Sequence, residues 1–164
     1  MTFRPGFPMQ QNKTSSRGFT LIEVLVTMAI VTILTTIALP SYLEHIARTR
    51  RADARTQLLA ASQFMQRFYT ANDSFATDRT GVGVALAVPQ ALRQSPPDGD
   101  ALYALSIPDA GLTATRYELR MEPIAGGAMA KDKCGTFTLT VDGRRGVLVN
   151  GTEGASDLVQ QCWK

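Results

Sequence analysis

Arg17-Gly18-Phe19-Thr20-Leu21-Ile22-Glu23 opens an apolar run, FTLIEVLVTMAIVTILTTIAL, that reaches Leu39. The 21 residues Phe19–Leu39 hold one ionisable side chain, Glu23. As a helix rising about 1.5 Å per residue they span ~32 Å, against a bilayer hydrocarbon core of ~30 Å. The run therefore reads as a membrane-spanning helix. Its five threonines can return their hydroxyls to helix carbonyls at little cost. A carboxylate one turn inside such a run is costly unless it is neutralised or paired. In an isolated helix Glu23 could sit at the membrane surface. Gly18, however, is a small residue between a basic polar segment and the run, which suits a protease. Cleavage after Gly18 would give Phe19 a cationic α-amine at neutral pH. That amine and Glu23, a turn apart, are natural counter-ions within one chain or between packed chains.

The string Gly-Phe-Thr-Leu-Ile-Glu, followed by an apolar helix and Pro40, resembles the N-terminus of type IV pilins and pseudopilins over Ser16–Pro40. The resemblance implies that prepilin peptidase cuts between Gly18 and Phe19 and N-methylates Phe19. It implies that Glu23 pairs with the N-terminal amine of an adjacent subunit when pilin subunits are built into a helical filament at an assembly platform in the bacterial inner membrane. Pro40 removes the hydrogen bond to the Thr36 carbonyl. In pilins a proline at this spacing marks a bend, and the segment before it, here Thr32–Pro40, can unwind in the filament.

Of the net charge of +3, all is formally carried by residues 1–18, which contain Arg4, Lys13 and Arg17 and no acid; the rest is balanced. This polar segment, with Pro5 and Pro8, reads as a disordered leader. By the positive-inside rule it stays cytoplasmic, which places the C-terminal domain in the periplasm. A secretory signal would have a short apolar core followed by a small-x-small cleavage site, and neither is present. An ordinary signal peptide or simple anchor is the bland competitor. At 164 residues the chain leaves room for one globular domain. Two cysteines, Cys134 and Cys162, are compatible with one disulfide in an exported domain, with two free thiols as the rival. Closing a loop of 27 intervening residues would contribute about 3–4 kcal/mol.

After Pro40, Leu43, Ile46 or Ala47, Ala54, Leu58, Ala61, Met65 and Phe68 recur at spacings of three and four or their multiples, a helical stripe ending near Asn72-Asp73-Ser74. Arg48, Arg50, Arg51 and Arg55 read as a solvated collar just outside the membrane, with lipid phosphate or DNA contact as the functional alternative. The sole histidine, His45, has no ligand-like neighbours beyond Glu44 and reads as a surface residue. Residues 73–100 are turn-rich, with one short helical turn in AVPQALRQ. Four strands are expected at Leu102–Ile107, Arg116–Glu122, Thr136–Val141 and Gly146–Val149, with a tight turn at Asp142-Gly143. Asn150-Gly151-Thr152 fits a glycosylation sequon but reads as a turn.

The fold class is therefore α+β: a long N-terminal helix packed on a four-stranded antiparallel meander with a disulfide-bounded C-terminal region, the pilin fold that the resemblance implies. The divisions are a cleaved leader 1–18, a membrane and filament-core helix 19–39, an amphipathic helix 40–72, a connecting loop 73–100 and a sheet region 101–164. The Cys134-Gly135-Thr136 and Gln161-Cys162-Trp163 segments look most like PilE-type minor pilins. In pilins a bridge so placed bounds a surface used for adhesion and contacts.

No nucleophile–histidine pair, phosphate loop or metal-ligand cluster is present in the sequence, so an enzyme is disfavoured and no cofactor is called for; Gly81-Val82-Gly83 lacks the rest of a nucleotide fingerprint. Asp98 and Asp100 are too few ligands for calcium. The leading reading is a structural subunit of a type IV pilus, a minor pilin serving adhesion, twitching motility or DNA uptake and displayed on the cell surface after assembly. A DNA-binding competence pilin would use Lys131, Lys133, Arg144 and Arg145, with Arg79 and Arg93, but these cations are scattered against a balanced charge. A type II secretion pseudopilin shares the N-terminus; its major forms usually lack this disulfide and carry a calcium loop.

Overall fold

The computed structural model describes residues 18–164, so the leader expectation, Gly18 apart, lies outside the described residues. One helix, α1, runs from Leu21 to Asn72. Thr20 starts it by accepting the Glu23 amide on its hydroxyl at 3.3 Å. In the apolar part, Thr27, Thr32, Thr35 and Thr36 donate their hydroxyls to carbonyls three or four residues back at 2.7–2.9 Å. Pro40 lies within the helix and Thr32–Pro40 is helical, so the unwound segment that the resemblance allows for a filament is not a feature of the single chain. An 18-residue window of α1 has a mean hydropathy of 2.3, and none of it is buried within the molecule. The helix ends where expected, with Asp73 in the left-handed region at φ 58°.

The chain divides into two units by its internal contacts, one up to Ser41 and one from Tyr42 to Lys164. In the second, six strands form an antiparallel meander in sequence order: β1 Gln94–Ser95, β2 Tyr103–Ser106, β3 Glu118–Pro123, β4 Thr136–Thr140, β5 Arg145–Val149 and β6 Thr152–Glu153. The four expected strands are β2 to β5. The two further ones are a correction: with two residues each, they have no alternation for a sequence to display. The connecting loop carries two helical turns in place of one, α2 at Val84–Ala87 and a 3-10 turn at Gln90–Leu92, because Val88 and Pro89 between them are extended. A C-terminal helix, α3 Ser156–Trp163, is also new; eight residues are too few to form alone, and packing and the disulfide hold it.

The core forms between the α1 stripe and one sheet face. Ala54, Leu58, Ala61, Met65 and Phe68 meet Tyr103, Leu119, Met121, Phe137 and Val147, all buried. The register sets Met121 opposite Phe137 and Phe137 opposite Val147. Leu43, placed in the stripe from the sequence, is 62% exposed. Cys134 and Cys162 are bonded, with S–S 1.97 Å and Cα–Cα 5.7 Å. The bridge ties α3 to the approach to β4. Gly135 beside it has φ 56°, and a Cβ there would collide with the Leu148 carbonyl.

Candidate nucleic-acid interface

Glu44, Arg48, Arg51 and Arg55 follow one another at intervals of four, three and four residues, which puts them on one side of α1. Arg51 also stands three residues before Ala54, the start of the buried stripe. It is 5% exposed, which corrects the reading of this arginine as part of a solvated collar. A buried guanidinium needs counter-charges. Arg51 Nε donates to Asp132 Oδ1 at 2.9 Å and Nη2 to Oδ2 at 2.6 Å, a bidentate pair, while Nη1 donates to Glu44 Oε1 at 3.1 Å. Asp132 Oδ1 also accepts the Cys134 amide at 3.0 Å, so the pair fixes the loop that leads into the disulfide. Lys133 Nζ and Arg48 Nε approach the same Glu44 oxygen at 3.2 and 3.6 Å. The Arg51 bond, and then that from Lys133, hold the Glu44 carboxyl down at about 2. The bond to Asp132 raises the Arg51 pKa against the effect of burial.

Three depressions carry this charge across the C-terminal unit. The first, about 280 Å³, is lined by Glu44, Arg48, Arg51, Arg55, Lys133 and Lys164. Arg55, which donates to the Lys164 backbone oxygen, also lines the second, about 210 Å³, with Leu59, Arg145 and Trp163. Burial, then the neighbouring guanidiniums of Arg51 and Arg145, lower the Arg55 pKa. The Arg145 guanidinium lies 5.2 Å from the centre of the Trp163 ring. Arg145 lines the third depression too, about 120 Å³, with Arg144, Thr138, Glu118 and Glu153. Glu118 is already paired with Arg120 at 2.7 Å. Seven cations thus follow one another through shared depressions, with Glu44 and Asp132 as the carboxylates at the α1 end. Such a row can take up a chain of phosphates.

Of the cations named from the sequence, Lys133, Arg144 and Arg145 line this row. Lys131 is exposed but lines none of the three depressions. Arg79 faces Asp73 at 3.7 Å, and Arg93 folds back on the Val88 and Leu86 carbonyls at 3.0 and 3.2 Å. Asp132 and Lys164 have no role in the sequence reading, Trp163 enters it only beside Cys162, and DNA contact by the α1 arginines is there the alternative to a solvated collar. The available signal was the stripe itself: stepping back three from Ala54 lands on Arg51. Gly18, Phe19, Glu23 and Pro40 lie in the apolar unit, where Phe19 is 82% exposed and Glu23 makes no ion pair among the described residues. Among the described residues no group of three or more His, Cys, Asp or Glu is placed to hold a metal ion.

A family model described as type IV minor pilin ComP, DNA uptake sequence receptor, matches residues 40–138, and one for the prokaryotic N-terminal methylation motif matches residues 13–39. The chain is 34% identical over 70 residues to the type IV major pilin protein PilA of Myxococcus xanthus, covering 43% of this chain and 32% of that one. It is 32% identical over 76 residues to the fimbrial protein EcpC of Eikenella corrodens (46% and 50% covered). It is 35% identical over 72 residues to the type IV major pilin protein PilE of Neisseria gonorrhoeae (44% and 43% covered). The chain thus spans about a third to a half of the length of these curated relatives. Similar solved structures include the Neisseria meningitidis non-core minor pilin PilV, at 19% identity, TM-score 0.44, and 62% and 85% coverage. A type IV pilin from Shewanella oneidensis is similar at 23% identity, TM-score 0.38, and 60% and 88% coverage.

Proposed function

The chain belongs to the family described as type IV minor pilin ComP, DNA uptake sequence receptor, and from that premise we propose that its C-terminal unit, Tyr42–Lys164, is a DNA receptor carried on a pilus subunit. One observation carries the reading: Lys133, Arg48, Arg55, Arg145 and Arg144 line successive depressions, of which the first two share Arg55 and the last two share Arg145. The formal charge balance weighed against DNA binding in the sequence, but a balance is a sum over the whole surface, whereas binding depends on local placement. Here Arg79 and Arg93 drop out and the α1 arginines come in.

The apolar unit supplies the display. On this proposal the peptidase cuts between Gly18 and Phe19 and methylates Phe19, and Phe19–Leu39 holds the subunit in the inner membrane with Tyr42–Lys164 in the periplasm. Assembly with other pilin subunits then carries the basic surface out of the cell. The methylation-motif match over residues 13–39 and the exposed apolar span support this part.

Fluorescence anisotropy of the full chain in detergent, with a labelled DNA duplex over a salt series, tests the receptor reading. Log affinity should fall linearly with log salt, by about 0.9 per phosphate neutralised. Arg48→Ala with Arg144→Ala, at opposite ends of the row, should reduce the slope by about 2. Binding that ignores salt, or a folded double variant with the wild-type slope, would overturn it.

A further inference from the structure

A receptor for a sequence, as distinct from DNA at large, needs a contact to base edges, because phosphates are the same in every sequence. We infer that Arg145, aligned by Trp163, makes that contact and reads a guanine edge; the inference rests on the DNA-receptor reading above. Most cations in the row are already engaged. Arg51, Arg48 and Lys133 share Glu44, and Arg55 donates to the Arg51 and Lys164 carbonyls. Arg144, at the turn before β5, has no aromatic ring beneath it among the described residues and suits a phosphate.

Arg145 shares its exposure and free donors with Arg144, and adds a ring that holds it. It is exposed, and its guanidinium makes no hydrogen bond or ion pair among the described residues, so its five N–H groups are all available. Yet its position is held by the Trp163 ring at 5.2 Å. Trp163 is itself fixed twice: Nε1 donates to the Gly146 carbonyl at 2.9 Å, and the ring stands edge-on to Phe137 at 5.7 Å and 86°. Gly146 follows Arg145 on β5, so the ring is anchored to the strand whose side chain it supports. A planar fork, oriented in advance and with free donors, matches the O6 and N7 acceptors of guanine. Both residues lie beyond the matched stretch 40–138, so the family match assigns them no role.

The test uses the full chain in detergent and a duplex that it selects from a random pool. Anisotropy is measured on that duplex, on a scrambled one, and on versions in which single guanines are replaced by 7-deazaguanine, which lacks N7 and keeps every phosphate. One 7-deaza position should weaken wild-type binding about 10-fold. Arg145→Lys keeps the charge and does not change the Phe137 and Gly146 partners of Trp163, but lacks the planar fork; it should be insensitive to that position and lose the preference for the selected duplex. Trp163→Phe should retain part of the preference and Trp163→Leu should lose it, with the salt slope unchanged in both. If Arg145→Lys weakens all duplexes by one factor, or no preferred duplex emerges, the inference fails while the DNA-receptor reading stands. If the wild type binds no duplex, both fail.

Discussion

Glu23 and Arg51 are charges on one helix, Glu23 inside an apolar run and Arg51 one turn before a buried apolar stripe, and they differ in where their counter-ions lie. Arg51 is buried and finds Asp132 and Glu44 within its own chain. Glu23 stands where the large apolar side chains are exposed, and it has no ion pair among the described residues. The first charge belongs to the fold of the subunit. The second, on the proposed assembly reading, waits for the Phe19 amine of a neighbouring subunit. One helical pattern therefore serves two purposes: a stripe that the same chain covers, from Ala54 to Phe68, and a span that something outside the chain must cover.

Breaking the Arg51 side of this comparison should have the largest effect. Asp132→Ala leaves a buried guanidinium without its bidentate partner and frees the Cys134 amide, and should cost about 3–5 kcal/mol. The double variant Arg51→Met/Asp132→Asn removes the charge and keeps an acceptor for that amide, and should recover most of the loss. Chemical denaturation of the full chain in detergent, followed by tryptophan fluorescence, would measure both. Equal destabilisation by the single and double variants would show that the charge pair is not what anchors this loop.

Glu23→Ala should do the reverse. No described partner depends on Glu23, so the denaturation midpoint of the C-terminal unit should stay within about 0.5 kcal/mol of wild type. If each subunit's amine is matched by a neighbour's carboxylate, losing that match should lower incorporation at least 10-fold, about 1.4 kcal/mol or more. The ratio of variant in sheared filaments to variant in the membrane fraction reads this directly. Normal incorporation would mean that Glu23 has no intermolecular partner.

Much of this contrast was legible in the residues. The apolar run, its lone carboxylate, the stripe from Ala54 to Phe68 and strands β2 to β5 all follow from periodicity, because burial on one side imposes a pattern that can be counted. Strands β1 and β6 and helix α3 were not legible, since two-residue strands and an eight-residue helix owe their form to neighbours distant in sequence. The basic row was half legible. Lys133, Arg144 and Arg145 were named as cations, but their joining to Arg48 and Arg55 depends on how α1 lies on the sheet. Arg51 was misread because a charged residue was assigned to water by type, when its place in the stripe pointed inward. Asp132, 81 positions away, gives no sign in sequence of being its counter-ion.

Acid should weaken the Arg51 side of the comparison gradually and by the smallest amount. The Glu44 carboxyl is held at about 2 in the folded chain against an ordinary 4.5, through its bonds from Arg51 and Lys133. A depressed folded value means that the stabilisation is complete above about 4.5 and is lost as pH falls toward about 2. With the Glu44 side chain 36% exposed, solvent screens the pair, and the contribution is on the order of 1 kcal/mol. Glu44→Gln should therefore be about 1 kcal/mol less stable than wild type at neutral pH and match it near pH 2. Denaturation midpoints taken over that range would show the two curves converging. Parallel curves would mean that Arg51 draws its compensation from Asp132 alone, leaving Glu44 to steady Lys133 and Arg48 at the mouth of the basic row.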